Sequence, residues 1–494
     1  MKNKIFSNSV YLLADFAAIT ILSFTFWFIL GRLLTPTETG IVFTSWGIST
    51  ILSVIITFGI HAALFKLISE KRTERHIISF TQISFKYVVL SSSITFVVMI
   101  LLSQYFYSLF SFTFLITLVT ALNTALLPLT YLSSSVLGGL QNMRKTFTTD
   151  LFGYVIKPIT VLIFIFIGLR SSGPIISLFL AFLIIFLLRA KISWFSFKEN
   201  KVLRSELLKY SFPAFLASIA AIAFSNIQYI ILTILKNPAA TGIFGYAMLV
   251  SSPLDLIPIT IGAAALPIIS NLSSSDDRKT QGYLLNLVVR YSLLIVLPLA
   301  VFLSYFSRQF FQIFFPQYVS ATSLLTYLIP GTIFFGIASI FNSSIYVVKK
   351  PKTSRNITIF TTILFLIFAI PLTQRFSSQG IAAAFLISTF CMLLISTYYI
   401  KKFIGLKIHV VSFMKLFFAA ALFFGFLLAS DFISTSLIFK ILLIIFGTVI
   451  YGMILLLLKF YIKEDVRVLK AIERRSPFLK KQIHFFVDFL ERRI

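Results

Sequence analysis

Charge is scarce in this chain, and acid is scarcer still. Lys, Arg, Asp and Glu make up 12% of its 494 residues, with 16 acidic side chains against 43 basic ones. A soluble globular protein carries about 25% charged residues. The deficit comes with a mean hydropathy of +0.97 and with apolar runs long enough to cross a bilayer, so the chain reads as an integral membrane protein. A single cysteine, Cys391, excludes an intramolecular disulfide. The four histidines, His61, His76, His409 and His484, show no HxxxH spacing, and no CxxC occurs, so no metal site is legible. No nucleophile–base pair stands out, which gives an enzyme reading nothing to rest on.

The net charge of +27 would suit nucleic acid, but its placement argues otherwise. The basic residues fall in short loops between apolar segments, the arrangement that the positive-inside rule describes. The basic start, MKNKIFSNSVYLL, resembles a signal peptide, yet the apolar stretch runs on to Leu30 without a cleavage motif and reads as an uncleaved first span.

Hydropathy predicts an all-α protein of about fourteen spans: 8–30, 38–62, 83–103, 109–138, 150–169, 174–190, 210–235, 241–270, 283–305, 320–348, 356–372, 380–400, 411–430 and 438–459. An even count puts both termini on one side. The loops 66–76, 139–149, 191–209, 349–355 and 401–409 are basic and alternate with connectors that hold one basic residue or none, Arg32, Arg170, Lys236, Arg308 and Arg375. The basic set and both termini are therefore expected in the cytoplasm, and the protein in the cell (plasma) membrane. In the tail, Ser476-Pro477 reads as a helix start. Phe478, Leu479, Ile483, Phe486, Val487, Leu490 and Ile494 then form an apolar stripe flanked by Lys480, Lys481, Arg492 and Arg493, suited to an anionic membrane surface.

One piece of punctuation is written twice. Residues 36–64, PTETGIVFTSWGISTILSVIITFGIHAAL, align without gaps on 238–266, PAATGIFGYAMLVSSPLDLIPITIGAAAL, with ten identities in 29 positions at a constant offset of 202. Pro36, Thr39, Gly40 and Ile41 recur as Pro238, Thr241, Gly242 and Ile243. An even shift of six spans keeps orientation, so the chain reads as two six-helix lobes related by a parallel repeat, as in transporters that rock two bundles about a central site. The expected organisation is a first lobe over 1–200, a second over 201–405, two further helices over 406–460 and a basic amphipathic cytoplasmic tail over 461–494.

These segments resemble a known family. GRLLTPTETGIVFTSWGIST with FGIHAALFKLISEKRTER, and YSFPAFLASIAAIAF with NPAATGIFGYAMLV and AAALPIIS in the second half, resemble the polysaccharide-transporter branch of the multidrug/oligosaccharidyl-lipid/polysaccharide exporter superfamily. Its members often carry an Arg-Leu-Leu-x-Pro-x-x-x-Gly turn after the first helix, here Arg32 to Gly40. The resemblance implies fourteen spans and a flippase for polyprenyl-linked oligosaccharide, moving it from the cytoplasmic leaflet outward. It does not name the sugar.

Such a substrate has an anionic head, a bulky glycan and an apolar tail, so its carrier needs cations between the lobes. An ionisable group in the bilayer core costs about 2.5–3.5 kcal/mol on the insertion scale and is a functional candidate by default. Lys157, expected about seven residues or roughly 10 Å into span 5, is a phosphate contact or a stem snorkelling to the interface. Arg290 in span 9 has the same two readings, with a guanidinium suited to bidentate phosphate binding. Asp255, bracketed by Pro253 and Pro258 in span 8, is expected at a broken helix that forms an ion or substrate site, or else in an ion pair with Lys157 or Arg290. Asp15 in span 1 is a shallower acidic candidate. Lys86 and Lys415 read as anchors; His61, Asn226 and Gln228 line a cavity or bond between helices.

No cofactor is expected. Coupling to protons, to sodium or to the membrane potential stays open. The expected partners are lipid-linked oligosaccharide and membrane lipids, with glycosyltransferases or a polymerase as protein partners, no nucleic acid, and a monomeric transporter. The rival readings are a cation-coupled drug exporter of the same superfamily, a lipid-linked peptidoglycan-precursor flippase, and a scaffold for glycosyltransferases that transports nothing.

Overall fold

The computed structural model describes residues 2–70, 73–195, 201–274, 277–348, 350–406, 410–430 and 437–460. The tail helix expected at 476–494 lies outside the described residues, as do His409 and His484. In chain order the helices are α1 (Lys2–Leu33), α2 (Pro36–Thr57), α3 (Ile60–Ser69), α4 (Glu74–Leu101), α5 (Ser103–Phe110), α6 (Phe114–Gly139), α7 (Met143–Phe166), α8 (Ser172–Arg189), α9 (Lys201–Leu235), α10 (Pro238–Ser251), α11 (Pro253–Ser274), α12 (Arg278–Phe314), α13 (Thr322–Val347), α14 (Pro351–Ile404), α15 (Val410–Ser430) and α16 (Leu437–Leu457). The protein is an all-α, multi-pass membrane protein. Hydrocarbon offers backbone amides no partner, so apolar runs of this length satisfy their hydrogen bonds internally, as helices.

Twelve of these helices are long and apolar enough to span. The fourteen expected spans are reached in two ways. α14 is interrupted at Ser377, which sits at φ 54°, and a Cβ on Gly380 would meet the Leu372 carbonyl. Residues eight apart in one straight helix lie about 12 Å apart, so the chain reverses there and α14 is two spans. α16 is the fourteenth. Span 8 is divided instead: α10 ends at Ser251 and α11 begins at Pro253.

The described chain forms two compact units. The first comprises Met1–Val250, Arg308–Gly331 and Pro351–Met392. In it α7 packs between α1 and α8, while α2 lies against α6 and α9. α2 is the most enclosed of the spans. Ser45 bonds Thr120 at 2.8 Å and Thr124 donates to Ser49 at 3.0 Å, a ladder of hydroxyls joining α2 to α6. At Gly153 an added Cβ would strike Ile185 and come within 2.8 Å of the Ala181 carbonyl, so glycine is what lets α7 and α8 approach so closely.

The second unit comprises Ser251–Ser307, Thr332–Lys350 and the chain from Leu393. Here Gly336 lets α13 pass tightly over α11, where a Cβ would lie 3.1 Å from Asp255 Cα and 3.0 Å from Pro258 Cγ. α15 packs on α16.

Candidate functional site: buried charges of the first half and a braced turn

Lys157 lies well inside α7. α7 starts at Met143 rather than near residue 150, so Lys157 stands fourteen residues into a 24-residue helix, about 21 Å from its start. The helix runs on through Pro158. Lys157 is only 4% exposed. Its Nζ does not snorkel out of the bundle. It donates to Ser23 Oγ on α1 at 3.2 Å and lies 4.7 Å and 4.8 Å from the ring centroids of Phe26 and Tyr154. These contacts are a hydroxyl and two aromatic faces, and none is a carboxylate. A cation–π pair is favourable but leaves donor capacity on the ammonium unused.

Two turns along the same face of α7, Asp150 accepts from Arg189 Nη2 of α8 at 2.6 Å. Arg189 is fully buried, at 1% exposure. Its remaining donors reach Thr149 Oγ1 at 2.7 Å, Ser134 Oγ at 2.6 Å and the Thr146 carbonyl at 3.3 Å. Asp15 on α1 interacts electrostatically with both Asp150 and Arg189, and Tyr154 with all three. One Asp15 oxygen, Oδ1, is buried with no hydrogen-bond partner. The structure therefore brings Asp15, Lys157, Asp150 and Arg189 onto three adjoining helices of the first unit. Asp150 and Arg189 were hidden in the sequence because they fall at the expected ends of spans 5 and 6, where charge is unremarked. Hairpin arithmetic finds them: Asp150 is twenty residues before Arg170 at the tip and Arg189 nineteen after it, so antiparallel α7 and α8 must bring them level.

Asp255 and Arg290 belong to the second unit. Asp255 sits in the first turn of α11, just past the break at Ser252, with Oδ1 buried and without a hydrogen-bond partner. Asp255 forms no ion pair among the described residues. Arg290, 5% exposed, donates from Nη2 to the Phe460 carbonyl at 2.6 Å and stacks 4.1 Å from the Phe460 ring centroid, just beyond α16. Asn226 Nδ2 and Gln228 Nε2 bond back to their own helix at Ile222 and Ser225. His61 Nδ1 is buried without a partner. Lys415 donates to the Lys459 carbonyl at 3.0 Å.

The repeated turn has a structural reason. A Cβ on Gly40 would run into the Pro238 carbonyl, and one on Gly242 would run into the Pro36 carbonyl. The two copies of Pro-x-x-Thr-Gly thus cross each other reciprocally, each glycine admitting the other copy's backbone. Both turns are capped at the same repeat position. Thr35 accepts from Glu38 N in a full capping box, and Asn237 Oδ1 accepts from Ala240 N at 2.8 Å. Each is pinned from outside. Arg170 Nη2 donates to the Leu33 carbonyl at 3.1 Å and pairs with Glu38; that carboxylate pushes the guanidinium's proton affinity up further. In the second copy Lys236 Nζ reaches the Gln374 carbonyl at 2.8 Å and Ser378 Oγ the Ala240 carbonyl at 3.2 Å. Arg32 Nη1 to the Ile313 carbonyl at 2.7 Å and Tyr318 to Thr39 and Leu34, each at 2.9 Å, complete the brace.

The described helices thus form a multi-pass membrane bundle with buried charges and a doubled, interlocked turn. The profile of the polysaccharide biosynthesis protein family matches residues 5–273, more than half of the chain, and the chain belongs to that family. Among solved structures, the lipid II flippase MurJ in an inward closed conformation superposes with a TM-score of 0.72, at 18% identity, over 90% of this chain and 97% of that one. An inward-facing multidrug resistance MATE family transporter of the MOP superfamily superposes with a TM-score of 0.65, at 12% identity, over 81% of this chain and 94% of that one. At such identities the likeness is one of fold. An uncharacterised membrane protein of Methanocaldococcus jannaschii is 29% identical over 150 residues, and the match spans 30% of the length of each protein.

Proposed function

We propose that this transporter is a flippase that carries polyprenyl-(pyro)phosphate-linked oligosaccharide from the cytoplasmic to the outer leaflet by alternating access. The observation that carries the reading is Lys157: a deeply buried cation whose contacts are Ser23, Phe26 and Tyr154, within a chain of the polysaccharide biosynthesis family. An ammonium without a carboxylate partner in an apolar bundle retains affinity for an anionic group. In this reading Lys157 meets the phosphate head, and Asp15 and Asp255, each with a buried oxygen lacking a hydrogen-bond partner, bind the proton or sodium ion that couples transport. Arg290 lies in the other unit as a second phosphate contact that would exchange its Phe460 carbonyl for substrate.

The basic loops orient both termini to the cytoplasm of a cell-membrane protein. The crossed turns then form the outer closure, and opening it releases the glycan. With the interior negative, each negative charge that crosses outward gains about 2.3 kcal/mol per 100 mV. The enzymes that assemble the glycan on the cytoplasmic face, and those that consume it outside, are the protein partners, and one chain holding both lobes works as a monomer. Asp15 on α1 also suits a second reading, a cation-coupled drug exporter.

The test compares outward-facing glycan, read with an impermeant probe, with total extracted glycolipid in cells lacking the protein, with wild type restored or with Lys157→Ala or Asp255→Ala. Glycolipid retained inside and released by wild type alone is the expected result. An outward fraction independent of the protein rejects the flippase and makes drug efflux the next assay.

A further inference from the structure

The second unit carries a second concentration of positive charge that the transport reading does not use. Where the end of α11, the start of α12, the end of α13 and the end of α14 come together, they enclose a recess of about 440 Å³. Arg278 opens α12, Lys350 follows α13 and Lys402 closes α14; all three line the recess, with Ser273 and Gln281 as neutral polar neighbours. The three cations therefore come from different segments of chain, and no carboxylate is among the described lining residues.

The walls are held in place. Gln281 is buried and its Nε2 donates to the Ile269 carbonyl at 3.0 Å, tying α12 to α11. Lys350 Nζ lies 5.7 Å from the ring centroid of Phe403, which steadies the ammonium beside Lys402. Among the described residues, the acid next to Arg278 in the chain is Asp277. Its Oδ1 accepts from Thr280 N at 3.1 Å, and the Thr280 side chain and backbone together hold its carboxyl below the usual carboxylate range. Asp277 therefore serves an amide in the first turn of α12. The attraction of the recess for an anion rests on the three side chains.

We propose that this recess is a binding site for a phosphate group, carried on a larger molecule such as a lipid headgroup. Phosphate offers several acceptor oxygens to converging donors, and an arginine with two lysines supplies both fork and point-charge contacts. The size favours a substituted phosphate, since the bare anion fills only a small part of the volume and leaves the rest to water. The site does not depend on the oligosaccharide reading, and its test does not measure transport.

The full chain in neutral detergent is titrated calorimetrically with dihexanoyl phosphatidic acid and, separately, with inorganic phosphate. Lys350→Gln/Lys402→Gln is compared with Lys279→Gln/Lys401→Gln, which removes the same charge from neighbouring residues outside the recess. The first pair weakens binding of the phosphate probes about tenfold or more, and the second leaves it within about twofold. Tighter binding of the phosphatidic acid than of inorganic phosphate assigns the site to a headgroup; equal binding assigns it to the free anion, and both keep the phosphate site. Equal weakening in the two double variants, or none in either, overturns it, because diffuse surface charge then accounts for the binding.

Discussion

The two copies of the repeat begin alike and end differently. Each opens with a capped Pro-x-x-Thr-Gly turn whose glycine faces the other copy's proline carbonyl. The first copy then continues as α2 for 22 residues and breaks only at Phe58 and Gly59, both at positive φ. The second runs 14 residues as α10 and breaks at Ser252, just before Pro253 stands where the first copy has Ile51. That early break puts Asp255, the counterpart of Ser53, into the first turn of a new helix. The first half instead keeps a straight central helix and sets its charges on α1, α7 and α8. The two copies are alike where their turns meet and differ in the helices that follow.

The strongest way to break this comparison is at the shared turn. Gly40→Val and Gly242→Val each place a branched side chain against a backbone carbonyl, so both are expected to abolish glycolipid flipping and to lower stability by about 1–3 kcal/mol. Similar losses from the two sites, read by flipping and by thermal unfolding in detergent, would sharpen the symmetry; a harmless Gly242→Val would break it.

The interior charges come next. Asp150→Asn leaves Arg189 buried without its counter-ion and is expected to cost about 3–5 kcal/mol, while Asp150→Leu with Arg189→Met recovers most of that loss. Lys157→Met is expected to leave the melting temperature near wild type and to slow flipping about tenfold, the loss of one charge-assisted contact. Arg290→Met should instead lower stability by about 1.5–3 kcal/mol, through the Phe460 carbonyl it abandons. The smallest effect is at Glu38, whose Arg170 partner is half exposed. Glu38→Gln should change stability by less than about 1 kcal/mol, leaving the first turn as stable as the second, which has Ala240 at that position.

Much of this was legible in the sequence. Hydropathy gave the spans, because an apolar run in lipid has one satisfactory backbone solution, and the constant offset of 202 gave the repeat. The crossing of the two turns was not legible, since identity between Gly40 and Gly242 says nothing of mutual contact. The start of α7 at Met143 was not legible because polar Thr148, Thr149 and Asp150 look like the end of a span, whereas Thr149 bonds back to its own helix and Asp150 meets Arg189. The role of Arg189 was masked by the adjoining basic loop, where one more cation looks like orientation signal.

The most direct test of the central claim is flipping by the purified chain in proteoliposomes loaded with polyprenyl-diphosphate oligosaccharide, read by an impermeant glycan-cleaving enzyme. Protein-dependent gain of cleavable glycolipid beyond the initially accessible fraction, slowed in Lys157→Met liposomes holding equally folded protein, is the predicted result. A cleavable fraction identical in protein-containing and empty liposomes would contradict the account.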